Sequence, residues 1–125
     1  MKILTVTVVG ANGTMGTNVS AIFASFGNAK VYMVSRDVEK SKTAAQRAGR
    51  TVKADSIFKN LVPTDYSMLA TCVSASDLVF ESVAENLDIK IDLHSCIARN
   101  LKKGAIACTG SSGLSIKRLA ECYPE

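Results

Sequence analysis

Val6-Thr7-Val8-Val9-Gly10-Ala11-Asn12-Gly13-Thr14-Met15-Gly16 is the stretch that decides the fold. An apolar, β-branched run predicts a buried parallel strand over residues 3–9. It feeds into a glycine-spaced turn. Beyond the turn, apolar side chains at Met15, Val19, Ile22, Phe23 and Phe26 predict a helix over 14–26, with that stripe inward and Gly27 as its stop. Strand, glycine turn and helix in this order are the context of a dinucleotide-binding fingerprint. The glycines have a steric reason, since a backbone that turns tightly and approaches a pyrophosphate has no room for a Cβ. The helix start supplies free N–H groups and a positive dipole end for the phosphates. Gly10, Gly13, Thr14, Met15 and Gly16 are therefore candidate cofactor-binding residues. The spacing is G-x-x-G-x-x-G, one residue longer than G-x-G-x-x-G. Either Asn12 is an insertion or the loop is of the longer type found in some NADP-binding folds. A structural β–α turn without a ligand is the bland alternative.

Working outward, Val31-Tyr32-Met33-Val34 predicts a second strand. A helix follows, capped by Asp37 or Ser35 and ending at Gly49. Leu61-Val62 predicts a short strand stopped by Pro63, and residues 66–72 a helix. Strands are expected over 77–83 and 105–108, with an amphipathic helix over 87–101 between them. Leu114, Ile116, Leu119 and Ala120 mark a last helix. The alternation predicts an α/β fold, a doubly wound and mostly parallel sheet with helices on both faces.

The 125 residues suit one domain with a core of its own, and 47% of them are hydrophobic. No apolar run approaches the ~20 residues that span a bilayer, so no membrane partner is expected. Met1-Lys2-Ile3-Leu4 runs straight into the first strand, which predicts no signal peptide and a cytoplasmic protein. Cys72, Cys96, Cys108 and Cys122 have no metal or redox spacing and are expected to be buried reduced thiols. No metal site is expected. Within the net charge of +4, residues 30–59 concentrate Lys30, Arg36, Lys40, Lys42, Arg47, Arg50, Lys53 and Lys59 against Asp37, Glu39 and Asp55. The segment reads either as a solvated helix face or as a patch for a phosphate-rich ligand. It lacks the interleaved aromatic residues of a nucleic-acid surface, so no nucleic-acid partner is expected.

Asp77-Leu78-Val79-Phe80-Glu81-Ser82-Val83-Ala84-Glu85-Asn86-Leu87-Asp88-Ile89-Lys90 resembles the 3-hydroxyacyl-CoA dehydrogenase family, whose pattern is close to D-L-V-I-E-A-V-x-E-N-L-x-x-K. Gly13-Thr14-Met15-Gly16 and Ser111-Ser112-Gly113-Leu114-Ser115-Ile116 extend the likeness over most of the chain. The resemblance implies a Rossmann-type NAD-binding domain of an oxidoreductase of fatty acid metabolism. It implies a pyrophosphate held at Gly13–Gly16, and cofactor contacts at Glu85 and Lys90. It also implies that Ser112 hydrogen-bonds the substrate's 3-oxygen, with an acyl-CoA substrate and a homo-oligomeric full-length enzyme.

The departures are specific. Gly110 stands where the family has Asn, and Gly113 where it has a second Ser. Ser35, followed by Arg36, stands where an acidic residue normally binds the ribose hydroxyls, a pair better suited to a 2′-phosphate. The stretch from Thr43 to Leu61 lacks an excursion that the family uses for coenzyme A. The family's catalytic histidine and helical second domain have no counterpart, so the chain is expected to be a cofactor-binding fragment without activity of its own. His94 stands at an apolar family position and is expected to be a partly buried packing residue. Two other readings remain: an NADP-dependent β-hydroxyacid or short-chain-type reductase, and a redox-sensing nucleotide-binding module. The Tyr-x-x-x-Lys pair of the short-chain type does not occur.

Overall fold

A computed structural model describes residues 3–25, 29–52, 60–83, 87–110 and 122–123. Five strands, β1 (Thr5–Val9), β2 (Lys30–Ser35), β3 (Leu61–Asp65), β4 (Leu78–Glu81) and β5 (Ile106–Thr109), form one sheet in the order β3-β2-β1-β4-β5. Every pairing is parallel. The helices are α1 (Thr14–Ser25), α2 (Val38–Val52), α3 (Leu69–Ala75) and α4 (Leu87–Asn100), with a 3₁₀ turn at Tyr66–Met68.

The side-chain period of two sorts the sheet into faces. Val6, Val8, Val31, Met33 and Leu78 pack with Ala21 and Ala24 of α1 and Ala44, Ala45 and Ala48 of α2. Val9, Val34 and Val79 point the other way, onto Leu69, Cys72 and Val73 of α3 and Ile97 of α4. The doubly wound α/β reading holds. The strand order reverses between β1 and β4, and the crevice at the carboxyl edge of such a switch point is where open α/β sheets take their ligands.

Four local expectations need correction. The inward face of α1 is Gly16, Thr17, Ser20, Ala21 and Ala24. Met15 and Ile22 are each 52% exposed, while Val19 and Phe23 only flank the core. Small residues win that face because they let the helix lie close on the sheet. α2 does not stop at Gly49 but continues to Val52. β3 runs through Pro63 to Asp65, since it is an edge strand and the missing N–H disrupts no second ladder. Of the cysteines, only Cys72 is buried; all four are free thiols. The last predicted helix and Gly27 lie outside the described residues.

Candidate dinucleotide site

β1 delivers the glycine turn to the switch point. Gly10 has φ +80°, and a Cβ there would stand 2.4 Å from the Ser82 carbonyl oxygen, just beyond β4. A Cβ on Gly16 would stand 2.5 Å from the Gly10 carbonyl oxygen. Both positions are therefore glycine because protein backbone crowds them. Gly13 is different: its nearest neighbour would be the Gly10 oxygen at 3.6 Å, an ordinary contact. The Gly13 N–H closes the turn on the Gly10 carbonyl at 3.2 Å, and its own carbonyl accepts from Thr17 N–H at 2.9 Å. The N–H groups of Thr14, Met15 and Gly16 form the first turn of α1, where helix geometry supplies no intrahelical acceptor. The extra residue of the turn is tied down from α2, where Arg47 donates to the Asn12 carbonyl at 2.7 Å.

At the end of β2, Ser35 is 2% exposed. Its hydroxyl lies 2.8 Å from the Asp37 carbonyl oxygen and 2.7 Å from the Ser41 hydroxyl. Ser35 thus braces the β2–α2 connection and does not reach into the crevice. Asp37 is the cap: its Oδ1 accepts from Glu39 N–H at 2.9 Å. Arg36 is exposed at the strand end. Between the glycine turn and α2 lies an open cavity of about 260 Å³, lined by Asn12, Glu39, Lys40, Thr43 and Arg47.

The β4–β5 half of the edge is built on a carboxylate. Glu81, the last residue of β4, is fully buried on the α4 face. Its Oε2 accepts from Lys90 Nζ and from Val83 N–H, each at 2.7 Å. Its Oε1 accepts from Thr109 Oγ1 at 2.6 Å and from His94 Nε2 at 2.9 Å. Two donors on each oxygen fill the acceptor capacity of the group. Burial pushes the Glu81 acid up, but the bonds from His94, Lys90, Thr109 and Val83 outweigh it and hold the pKa at about 2. An ionised carboxylate can only accept, so His94 Nε2 carries a proton. In the neutral ring Nδ1 then accepts from the Tyr123 hydroxyl. Burial raises the Tyr123 phenol well above its ordinary range, so it remains a donor.

This arrangement changes two expectations. His94 is 2% exposed and engaged through both ring nitrogens, a member of a polar network rather than a partly buried packing residue. Lys90 is 1% exposed and ion-paired with Glu81. Its place follows from helix geometry, since Lys90, His94 and Ile97 form one stripe at i, i+4, i+7 against the sheet. Ser112 and Glu85 lie outside the described residues. Gly10, Gly13, Thr14, Met15 and Gly16 are brought together at one turn, while Ser35 and Lys90 are turned inward.

Comparison with known proteins agrees with this geometry. The family model described as "3-hydroxyacyl-CoA dehydrogenase, NAD binding domain" matches residues 5–125. The chain belongs to that family. It is 36% identical to L-carnitine dehydrogenase of Burkholderia mallei over 78 residues, covering 62% of this chain and 23% of that protein. It is 29% identical to 3-hydroxyadipyl-CoA dehydrogenase of Escherichia coli, covering 96% of this chain and 27% of that protein. The chain thus spans about a quarter of the length of these two relatives. The crystal structure of (S)-3-hydroxybutyryl-CoA dehydrogenase from Ralstonia eutropha shares the fold, with a TM-score of 0.81 at 22% identity over 97% of this chain and 45% of that one. Glu81 was missed as a site residue. Two signals were present: the family pattern carries Glu at this position, and an acidic residue inside an otherwise apolar strand calls for a buried cation on the facing helix.

Proposed function

We propose that this chain is the NAD-binding domain of an oxidoreductase that interconverts a 3-hydroxyacyl-CoA and the 3-oxoacyl-CoA. The observation that carries the reading is the contrast among the glycines. Protein backbone demands Gly10 and Gly16, whereas Gly13 opens beside three N–H groups without helical partners. A pyrophosphate fits there, because its oxygens accept from those donors and its approach needs a position without a side chain. When bound, NAD supplies a nicotinamide carbon that gives or takes a hydride. Gly13, Thr14, Met15 and Gly16 hold the pyrophosphate, with Gly10 shaping the turn. Arg36 stands beside the adenosine ribose. Glu85 contacts the cofactor as the resemblance implies, and Lys90 serves the site through Glu81. Ser112 orients the 3-oxygen, and the general base is a histidine outside these 125 residues. The chain alone then binds NAD without turnover, and the full-length enzyme is cytoplasmic, homo-oligomeric and active in fatty acid metabolism.

Calorimetric titration of NAD into wild type and Gly13→Val tests this. A valine at the open position should weaken binding at least ~10-fold, because it fills the space left for the phosphates. Unchanged affinity would refute the site.

One observation favours NADP as a second reading. Ser35, which stands in the acidic position, is buried and engaged, while Arg36 is exposed and Lys40 lines the cavity beside the turn. A 2′-phosphate there meets cations and no carboxylate at the Ser35 position. Paired titrations decide it. Tighter binding of NADP than of NAD, lost in Arg36→Ala, selects NADP; weaker or equal binding of NADP retains NAD.

A further inference from the structure

We propose that Glu81, with Thr109 and His94 as its donors, is a positioning residue for the nicotinamide half of the bound dinucleotide. The inference rests on the NAD-binding reading above and adds to it which half of the ligand each half of the sheet controls. The glycine turn and the end of β2 serve the adenosine side, because the ribose next to the pyrophosphate lies at the second strand. The remaining half of an extended dinucleotide then crosses the switch point and lies over the ends of β4 and β5.

Those two strand ends are held by one side chain. Through Oε2, Glu81 fixes Val83 N–H, and with it the backbone of Ser82 and Val83. That backbone is the wall against which Gly10 is fitted, and the Ser82 N–H is itself bonded to the Val9 carbonyl at 2.8 Å. Through Oε1, the same carboxylate fixes the Thr109 hydroxyl at the last residue of β5. The main-chain carbonyl of Glu81 also accepts from Gly110 N–H at 2.9 Å. Lys90 and His94 anchor the group from α4, and His94 passes the connection on to Tyr123. The two chain segments that border the nicotinamide side therefore share a single buried anchor. Its four donors come from Val83, Lys90, His94 and Thr109, not from the glycine turn or the β2 end.

Loss of one donor on Oε1 should let the ends of β4 and β5 shift against each other. The ion pair to Lys90 and the adenosine side would stay in place. The test compares two probes, NAD and ADP-ribose, which share the adenosine, the pyrophosphate and the second ribose and differ only in the nicotinamide ring that the β4 and β5 ends are proposed to position. Both are titrated into wild type, Thr109→Val, Thr109→Ser and His94→Leu. The expected result is a roughly tenfold loss of NAD affinity in Thr109→Val and His94→Leu, from one lost charge-assisted hydrogen bond and the misplacement that follows. ADP-ribose affinity should stay within about twofold of wild type. Thr109→Ser keeps the hydroxyl and should restore NAD binding. Equal losses for both probes would make the network a general structural prop and overturn the proposal, as would NAD affinity unchanged in both variants. A wild type that binds neither probe removes the NAD-binding reading and this inference with it. Binding of ADP-ribose with no discrimination among the variants removes this inference alone.

Discussion

The two halves of the sheet fix their carboxyl edges by opposite means. Around β1 and β2 the edge is made of backbone: Gly10 and Gly16 let main chain approach main chain, and Ser35, Ser41 and Asp37 close the next connection with short local hydrogen bonds. Around β4 and β5 it is made of one buried carboxylate that gathers donors from four places in the sequence. The first kind of edge is robust to charge and intolerant of volume. The second tolerates small changes of volume but depends on every charge having its partner. Mutations in the two halves should therefore fail for different reasons.

The largest effect is expected at the carboxylate. Glu81→Ala takes the carboxylate away from the buried Lys90 ammonium, and it strips the acceptor from Val83 N–H, His94 and Thr109. A loss of roughly 3–5 kcal/mol of unfolding free energy is expected in urea titrations. The double variant Glu81→Leu/Lys90→Met should recover much of it, since apolar replacement of both partners of a buried pair is often neutral. A single-variant loss under ~1 kcal/mol would mean that this edge does not depend on its charge pair.

Next come the glycines, where the contrast is internal to one turn. Gly10→Ala combines a left-handed φ of +80° with a Cβ only 2.4 Å from the Ser82 carbonyl oxygen, and something rigid must move. About 2–4 kcal/mol is expected. Gly13→Ala meets only an oxygen at 3.6 Å, so its stability should change by no more than ~1 kcal/mol, the ordinary effect of alanine at a helix N-cap. Equal losses at the two positions would erase the distinction between a glycine required by the fold and one left open for a ligand.

These comparisons also explain what was legible in the sequence. β1, the glycine turn and α1 are local, so contiguous residues carry their signature, and their positions were read nearly to the residue. The inward face of α1 was misread because bulk was taken for burial. Here close helix–sheet contact selects Gly16, Ser20, Ala21 and Ala24. Pro63 was read as a stop because sequence alone does not tell an edge strand from a central one. The Glu81 network was illegible for a stronger reason. Its members Glu81, Lys90, His94, Thr109 and Tyr123 meet only after β4, α4 and β5 are packed, and the spacings that relate Glu81 to Lys90 and Lys90 to His94 say nothing of a shared contact. The resemblance supplied Lys90 as a cofactor contact, and the structure places its side chain buried against Glu81.

A smaller effect separates the two ends of β4 by acid titration. At its amino end, Asp77 accepts from Lys102 Nζ at 2.7 Å and from the N–H groups of Leu4 and Thr5 at 2.9 and 3.1 Å. The Lys102 bond, followed by those two N–H groups, lowers its pKa from 3.8 to about 2. At the carboxyl end, Glu81 is lowered from 4.5 to about 2. A depressed folded-state pKa contributes stability that is present above the unfolded value and lost as pH falls through the folded one. Melting temperature should therefore decline from about pH 4.5 to pH 2. Asp77→Asn should remove only the part that begins near pH 3.8, leaving the Glu81 part in place. A melting curve flat across this window would contradict both assignments.

The smallest effect is expected from the ion pair that most resembles Glu81–Lys90 on paper. Lys42 Nζ lies 3.3 Å from Glu39 Oε1, three residues apart on α2, with side chains 56% and 73% exposed. Water screens this pair and both side chains give up rotamer freedom to form it, so Lys42→Ala should cost no more than ~0.5 kcal/mol. Separation alone does not rank the two pairs; what ranks them is whether the charge left behind can return to water. The outcome also bears on the ligand. If Lys42→Ala costs more than ~1 kcal/mol, the charges on this face of α2 are structural, and Lys40 beside the cavity is less free to serve a phosphate. If it costs nothing measurable, the Lys42–Glu39 pair carries no structural duty, and the charge of Lys40 beside the cavity can be read through ligand binding.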